Sequence, residues 1–225
     1  MLNILIVLVI ALPALSDEPE VRTEQPPPGL QGEDAARGET LAKQIDELVA
    51  AGQFAEAAAP ARELEELTTR VLGKQHHDAI EARVRRSLYS SLAARPESER
   101  KQYLAALEWT KEALRLEDAG QSRQAQPLFE KALEVHRRLL TDDHPDTAVA
   151  MGNLADCLDS QGKPKEAEPL HRKSLETLRR ALTDDHPATA LAYNGLAGNL
   201  KDQGRYSDAQ PLYEKALELT RRLVS

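Results

Sequence analysis

Apolar and polar positions divide the chain into three kinds of stretch. Residues 4–12 are an unbroken apolar run, Ile-Leu-Ile-Val-Leu-Val-Ile-Ala-Leu, closed by Pro13. Residues 17–36 carry four prolines and many charges but almost no large apolar side chain. From residue 37 onward, apolar residues recur at steps of three and four, the period of a helix with one buried face. Between Pro145 and Gln161 they are Ala148, Met151, Leu154, Ala155 and Leu158. Between Pro164 and Leu182 they are Ala167, Leu170, Ser174, Leu175 and Leu178. Gly162 between the two runs suits a left-handed helix end, and Pro164 suits a first helical turn. The pattern therefore predicts pairs of helices.

The first run is too short to span a bilayer comfortably, which takes about 20 apolar residues. Ala14 and Ser16 place small residues where a signal peptidase reads, so residues 1–16 are expected to be an export signal or an uncleaved membrane anchor. Cleavage predicts a periplasmic or extracellular protein. Residues 17–36 are expected to be a disordered spacer, because little apolar surface is available there to offset the entropy of ordering.

The helical body repeats itself. Thr141-Asp142-Asp143-His144-Pro145 returns as Thr183-Asp184-Asp185-His186-Pro187, a period of 42 residues, and about 21 of the 42 positions that follow the two starts are identical. Gly120, Gly162 and Gly204 lie in the same register, as do Ala125, Ala167 and Ala209. A degraded copy starts at Gly52-Gln53-Phe54, and its linker Gly73-Lys74-Gln75-His76-His77-Asp78 aligns with the later His-Pro linkers. In those linkers Asp143 or His144 is the expected helix cap. The long stretch from about 97 to 119 follows Arg95-Pro96, and its second half serves as the first helix of a repeat. Nine helices are expected in all.

Trp109, Ala113, Leu116, Gly120, Ala125, Phe129 and Ala132 form a pattern that resembles the tetratricopeptide repeat. Tyr193, Leu196, Ala197, Gly204, Tyr206, Ala209, Tyr213 and Ala216 resemble it again. The 42-residue period and the His-Pro-x-Thr-Ala linker are similar to the kinesin light chain type, which also has bacterial relatives. Two departures stand out. His171 and Ser174 occupy positions where larger or better-fitting core residues are usual, and the light-chain Asn-Asn-Leu-Ala is split into Gly152-Asn153-Leu154-Ala155 and Asn194-Gly195-Leu196-Ala197. The resemblance implies an all-α, right-handed superhelical solenoid of antiparallel helix pairs. Repeats are expected at about 106–140, 148–182 and 190–224, after a degenerate repeat and bridging helices over 37–105. A single helix pair cannot bury its apolar face alone, so stacked neighbours make one continuous core. With Trp109 placed in that core, Trp109→Ala is expected to cost on the order of 3–5 kcal/mol.

Composition agrees and narrows the function. Aromatic residues make up only 4% of the chain, consistent with Ala- and Gly-mediated helix packing rather than a β-sandwich. The 41% hydrophobic share falls to about 38% once residues 1–16 are set aside. A net charge of −8 argues against nucleic acid as a partner. The single cysteine, Cys157, excludes an internal disulfide or a Cys-based metal framework. No phosphate-cradling glycine loop, nucleophile elbow or His-Glu-x-x-His motif occurs, so no catalytic residue, cofactor, metal or small-molecule substrate is expected. Cys157 and His171, on neighbouring helices, are read as packing residues. His144, His186 and the His76-His77 pair are read as linker residues rather than ligands.

The remaining expectation is recognition. By the resemblance, first helices line a concave groove that holds an extended peptide or a partner helix. The matching positions here are Thr110, Leu114, Glu117, Asn153, Asp156, Asp159, Asn194, Lys201 and Asp202, with Leu107, Asp118, Val149, Gly152, Leu191 and Gly198 beside them. Carboxylates outnumber lysines on this face, which favours a basic or neutral protein partner. Two alternatives stand beside this scaffold. The chain can be a regulatory arm of a larger protease- or kinase-type effector, or it can self-associate through the apolar face of its last helix, Leu212, Ala216, Leu219 and Leu223.

Overall fold

A computed structural model describes residues 29–224. The stretch expected to be an export signal or anchor, and most of the expected spacer, lie outside these residues. Nine α-helices occupy the described part: α1 Gly32–Ala50, α2 Phe54–Leu72, α3 His77–Ala93, α4 Glu97–Asp118 and α5 Ser122–Leu140, then α6 Pro145–Ser160, α7 Pro164–Leu182, α8 Pro187–Asp202 and α9 Tyr206–Val224. One boundary differs from expectation. Helix α1 begins at Gly32, inside the stretch read as a disordered spacer to residue 36. Glu33 and Asp34 lie in its first turn, where acids complement the helix dipole, and Asp34 pairs with Arg70 of α2 at 3.4 Å.

Antiparallel pairs α4–α5, α6–α7 and α8–α9 stack in order, with α5 against α6 and α7 against α8. The result is a helical repeat solenoid. Close approach is made by alanine: Ala113, Ala125, Ala148, Ala155, Ala167 and Ala197 are all fully buried. Larger residues fill the spaces between, among them Phe129 at 2% exposure and Met151 at 0%. Trp109 is not one of them. It is only partly buried at the edge of the cluster that holds Tyr103 and Ala106, and Lys131 Nζ lies 6.0 Å from its ring.

The linkers repeat one device. His76, His144 and His186 cap α3, α6 and α8, each ring Nδ1 accepting from the backbone N–H two residues on (Asp78, Asp146 and Ala188) at 3.3, 3.1 and 3.1 Å. The residue that ends the preceding helix has a positive φ: Gly73 at 89°, Thr141 at 74° and Thr183 at 77°. Only the first is a glycine. With ψ of 166° and 167°, the two threonines hold a conformation that costs of order 1–3 kcal/mol for a residue with a Cβ. The ion pairs Arg137–Asp142 and Arg179–Asp184 bridge each linker to its helix.

Helix α3 departs from the simple stack. Its C-terminal half contributes Leu88, Tyr89 and Leu92 to the core shared by α1, α2, α4 and α5. Its N-terminal half reaches the other repeats, where Ile80 is buried with Ala148, Leu178, Leu182 and Ala188. Glu81 lies 3.5 Å from His186 Nε2, and the rings of His77 and His186 meet edge to face at 6.3 Å. The helix is thus a strap along the linker edge. Val149, expected in the open groove, packs against this strap cluster instead.

Candidate functional site

Three consecutive repeats can be compared position by position, because 42 residues separate equivalent places. On the first helices the series are Leu114, Asp156, Gly198 and Glu117, Asp159, Lys201; on the second helices the series is Phe129, His171, Tyr213. The outer repeats put an aromatic ring in the slot between helices. The middle repeat puts an imidazole there, with two carboxylates in front of it.

His171 is 2% exposed. Its Nε2 lies 2.8 Å from Asp159 Oδ2 and 3.8 Å from Asp156 Oδ1. The two aspartates stand three residues apart on α6 and so share a face. Helix α8 completes the site. Asn199, 1% exposed, donates from Nδ2 to Asp159 Oδ1 at 2.7 Å and to the Pro164 carbonyl at 2.8 Å. Gly195 makes room for the ring: a Cβ there would lie 3.1 Å from His171 Nδ1 and Cε1. The split asparagine motif acquires a physical reason, since Asn153 has its equivalent at Gly195, where a side chain would displace the imidazole.

Asp156 is open to solvent over 68% of its side chain, and its carboxyl stands between His171 and the neighbouring acids of the same face. Desolvation, opposed by His171 and reinforced by the charges of Asp159 and Glu117, pushes its pKa up to about 6. The cluster is therefore short of positive charge. Two neighbouring carboxylates face each other with one imidazole between them.

The other expected groove residues do not converge. Glu117 accepts from Ser122 Oγ at 2.9 Å, Thr110 donates to the Ala106 carbonyl of its own helix at 2.9 Å, and Leu114 packs at the rim of the second core cluster. Asn153 is half-buried and Asn194 exposed. Lys201 pairs with its neighbour Asp202 at 3.4 Å, both exposed. Cys157 does not approach a base: fully buried, its thiol donates to the Ser122 carbonyl at 3.2 Å. Burial first, then Glu117, push its pKa to about 12, so it stays a thiol and a poor nucleophile.

Reading the sequence placed Asp156 and Asp159 on the groove face but treated His171 as packing. The signal that could have joined them is the repeat register itself, in which a histidine replaces Phe129 and Tyr213 in the one of these three repeats with aspartate at both compared first-helix positions, 156 and 159. Among the described residues a second compact group of potential ligands exists, His76, His77 and Asp78, in the α2–α3 linker. No helix among the described residues is long and apolar enough to cross a membrane.

A family model described as tetratricopeptide repeat matches residues 113–180 and 160–222. Solved structures similar to the chain include a Podosopora anserina putative kinesin light chain with nearly identical repeats. It is 16% identical, with a TM-score of 0.45, over 85% of this chain and 96% of that one. BtubC (BKLC) from P. vanneervenii is 14% identical, with a TM-score of 0.41, over 87% of this chain and 94% of that one. No curated protein matches the chain in sequence.

Proposed function

Because residues 113–222 are tetratricopeptide repeats, a fold that commonly mediates protein–protein interaction, we propose that this chain is a non-enzymatic scaffold. It holds an extended peptide or a partner helix against the first helices α4, α6 and α8. The observation that carries this reading is the polar, acid-rich face those helices present: Glu117, Asp118, Asp156, Asp159 and Asp202 against Lys201. Such a face selects a basic or neutral partner and speeds its encounter more than it deepens the complex. Asp159 is held by His171 and Asn199, and Asp202 pairs with Lys201, so the exposed Asp156 and Asp118 are the acids that meet a partner. The apolar run at residues 4–12 supports placing this scaffold outside the cytoplasm or at a membrane surface.

Affinity capture with the full chain at two salt concentrations tests the reading. A partner retained at low salt, released at high salt, and lost when Asp118 and Asp156 are both changed to Asn is the expected result. Binding that ignores both salt and these substitutions removes the acidic-face reading.

Exposed apolar side chains on α9 favour a second reading, self-association. Of the face expected to carry it, Ala216 and Leu219 are buried in the C-terminal core, with Leu212 and Leu223 packed against it. The expected residues are therefore not the exposed ones; those are Leu217, at 45%, and Tyr206, at 68%. Sedimentation at rising concentration decides it, and a strictly monomeric species at high concentration counts against it.

A further inference from the structure

We propose that Asp156, Asp159 and His171 bind one divalent transition-metal ion of the zinc type where α6, α7 and α8 meet. Three potential ligand atoms from two helices, His171 Nε2 and one oxygen of each aspartate, lie within 4.8 Å of one another. Zinc bonds to nitrogen and oxygen ligands are about 2.0–2.2 Å long, which puts tetrahedral ligand atoms roughly 3.4 Å apart. The observed separations of 2.8 and 3.8 Å bracket that value, so rotamer adjustment closes the site without moving a helix. The donor set selects the ion. Imidazole with carboxylate suits zinc and its first-row neighbours, whereas magnesium and calcium are held by oxygen alone.

The surroundings also fit a held ion. Asn199 engages Oδ1 of Asp159 and leaves Oδ2 turned to His171, the kind of outer hydrogen bond that orients a ligating carboxylate. The ion would take the place of the proton on His171 Nε2, the ring carrying its proton at Nδ1 instead so that the imidazole stays neutral, and its two positive charges would neutralise both aspartates. Three protein ligands leave a fourth position for water, opening on the side of the exposed Asp156. The repeats on either side hold Leu114, Glu117 and Phe129, or Gly198, Lys201 and Tyr213, in the same places. Neither trio offers this donor set, so one site per chain is expected in these repeats. The inference does not rest on the scaffold reading, because it concerns the free chain.

Calorimetric titration of the untagged full chain with zinc chloride at pH 7.5, in a non-chelating buffer, tests it. One equivalent should bind and raise the melting temperature, and magnesium chloride at the same concentration should do neither. His171→Phe, which installs the side chain found at Phe129, should lose binding at least 100-fold. Asp156→Asn, at a solvent-facing position, should keep its helical circular dichroism and weaken binding at least 10-fold. It decides the matter alone if His171→Phe does not fold. His77→Ala should bind as the parent does. Absence of zinc binding, affinity unchanged by Asp156→Asn, or loss of binding in His77→Ala overturns the proposal, the last by moving the ion to the α2–α3 linker.

Discussion

From α4 to α9 consecutive helices pack on one another, whereas α3 adds to its partner α2 contacts with α7 and α8. The C-terminal pairs are a local structure in which stability accumulates from repeat to neighbouring repeat. The strap is a long-range structure: Ile80 is buried only if Leu178, Leu182 and Ala188 are already in place. A solenoid of independent neighbours can open from one end. With the strap seated, opening at the α7–α8 linker also exposes the apolar face of α3, so the N-terminal helices and the middle of the stack share their cooperativity.

Cutting a large side chain from each region separates the two most clearly. Phe129→Ala, inside the regular stack, should cost about 3–5 kcal/mol and Ile80→Ala, in the strap, about 2–4 kcal/mol, both read from chemical denaturation. Hydrogen exchange distinguishes them. Ile80→Ala should speed exchange at the α7–α8 linker and across α3 while leaving α9 protected; equal loss throughout would show that no separate strap exists.

Trp109→Ala comes next, at about 1–2 kcal/mol rather than the larger cost of a core position, because the indole is only partly buried. A loss above about 3 kcal/mol would return the residue to the core. Smaller still is a gain. Thr183→Gly removes a Cβ from a φ of 77° and should stabilise by about 1 kcal/mol after the added chain entropy of glycine, provided the bond from Thr189 Oγ1 to the residue 183 carbonyl survives. The same change at Thr141 should act alike, and a destabilisation at both would show that the linkers are not strained.

Acid should separate the regions last and most gradually. Burial opposes ionisation of Glu81, but His186 and Arg85 outweigh it and bring its pKa down to about 2 from 4.5. The stabilisation this gives the strap is present above about pH 4.5 and is lost as pH falls toward 2. His136, in α5 beside Tyr103, titrates in the opposite chemical sense with the same outcome. Burial lowers its pKa below 6.5, so the unfolded chain takes up a proton first and stability falls as pH drops through 6.5. His136→Phe should flatten the higher of these two windows and leave the lower one, as followed by melting temperature against pH.

Much of the architecture was legible because it is periodic. The linker histidines cap helices where the repeated His-Pro motif implied, and Gly120, Gly162 and Gly204 all carry the positive φ expected of helix ends. Trp109 misled because the repeat pattern names an aromatic position without saying how many neighbours cover it; the preceding helices are not a regular repeat, and they leave the indole at an edge. The strap escaped because the amphipathic period of α3 shows that one face is buried but not against what. The histidine–aspartate cluster was half legible: the i and i+3 spacing put Asp156 and Asp159 on one face, while their meeting with His171 depends on α7 and α8.

By itself the sequence determined the helices, their pairing and their order, since a local apolar period and capping residues act over a few residues at a time. Only the tertiary structure decided that α3 crosses the linker edge, that Val149 is covered, and that an imidazole lies between two carboxylates. Those features join residues far apart in the chain, and side-chain packing between helices selects them from many arrangements that the same periodic pattern allows.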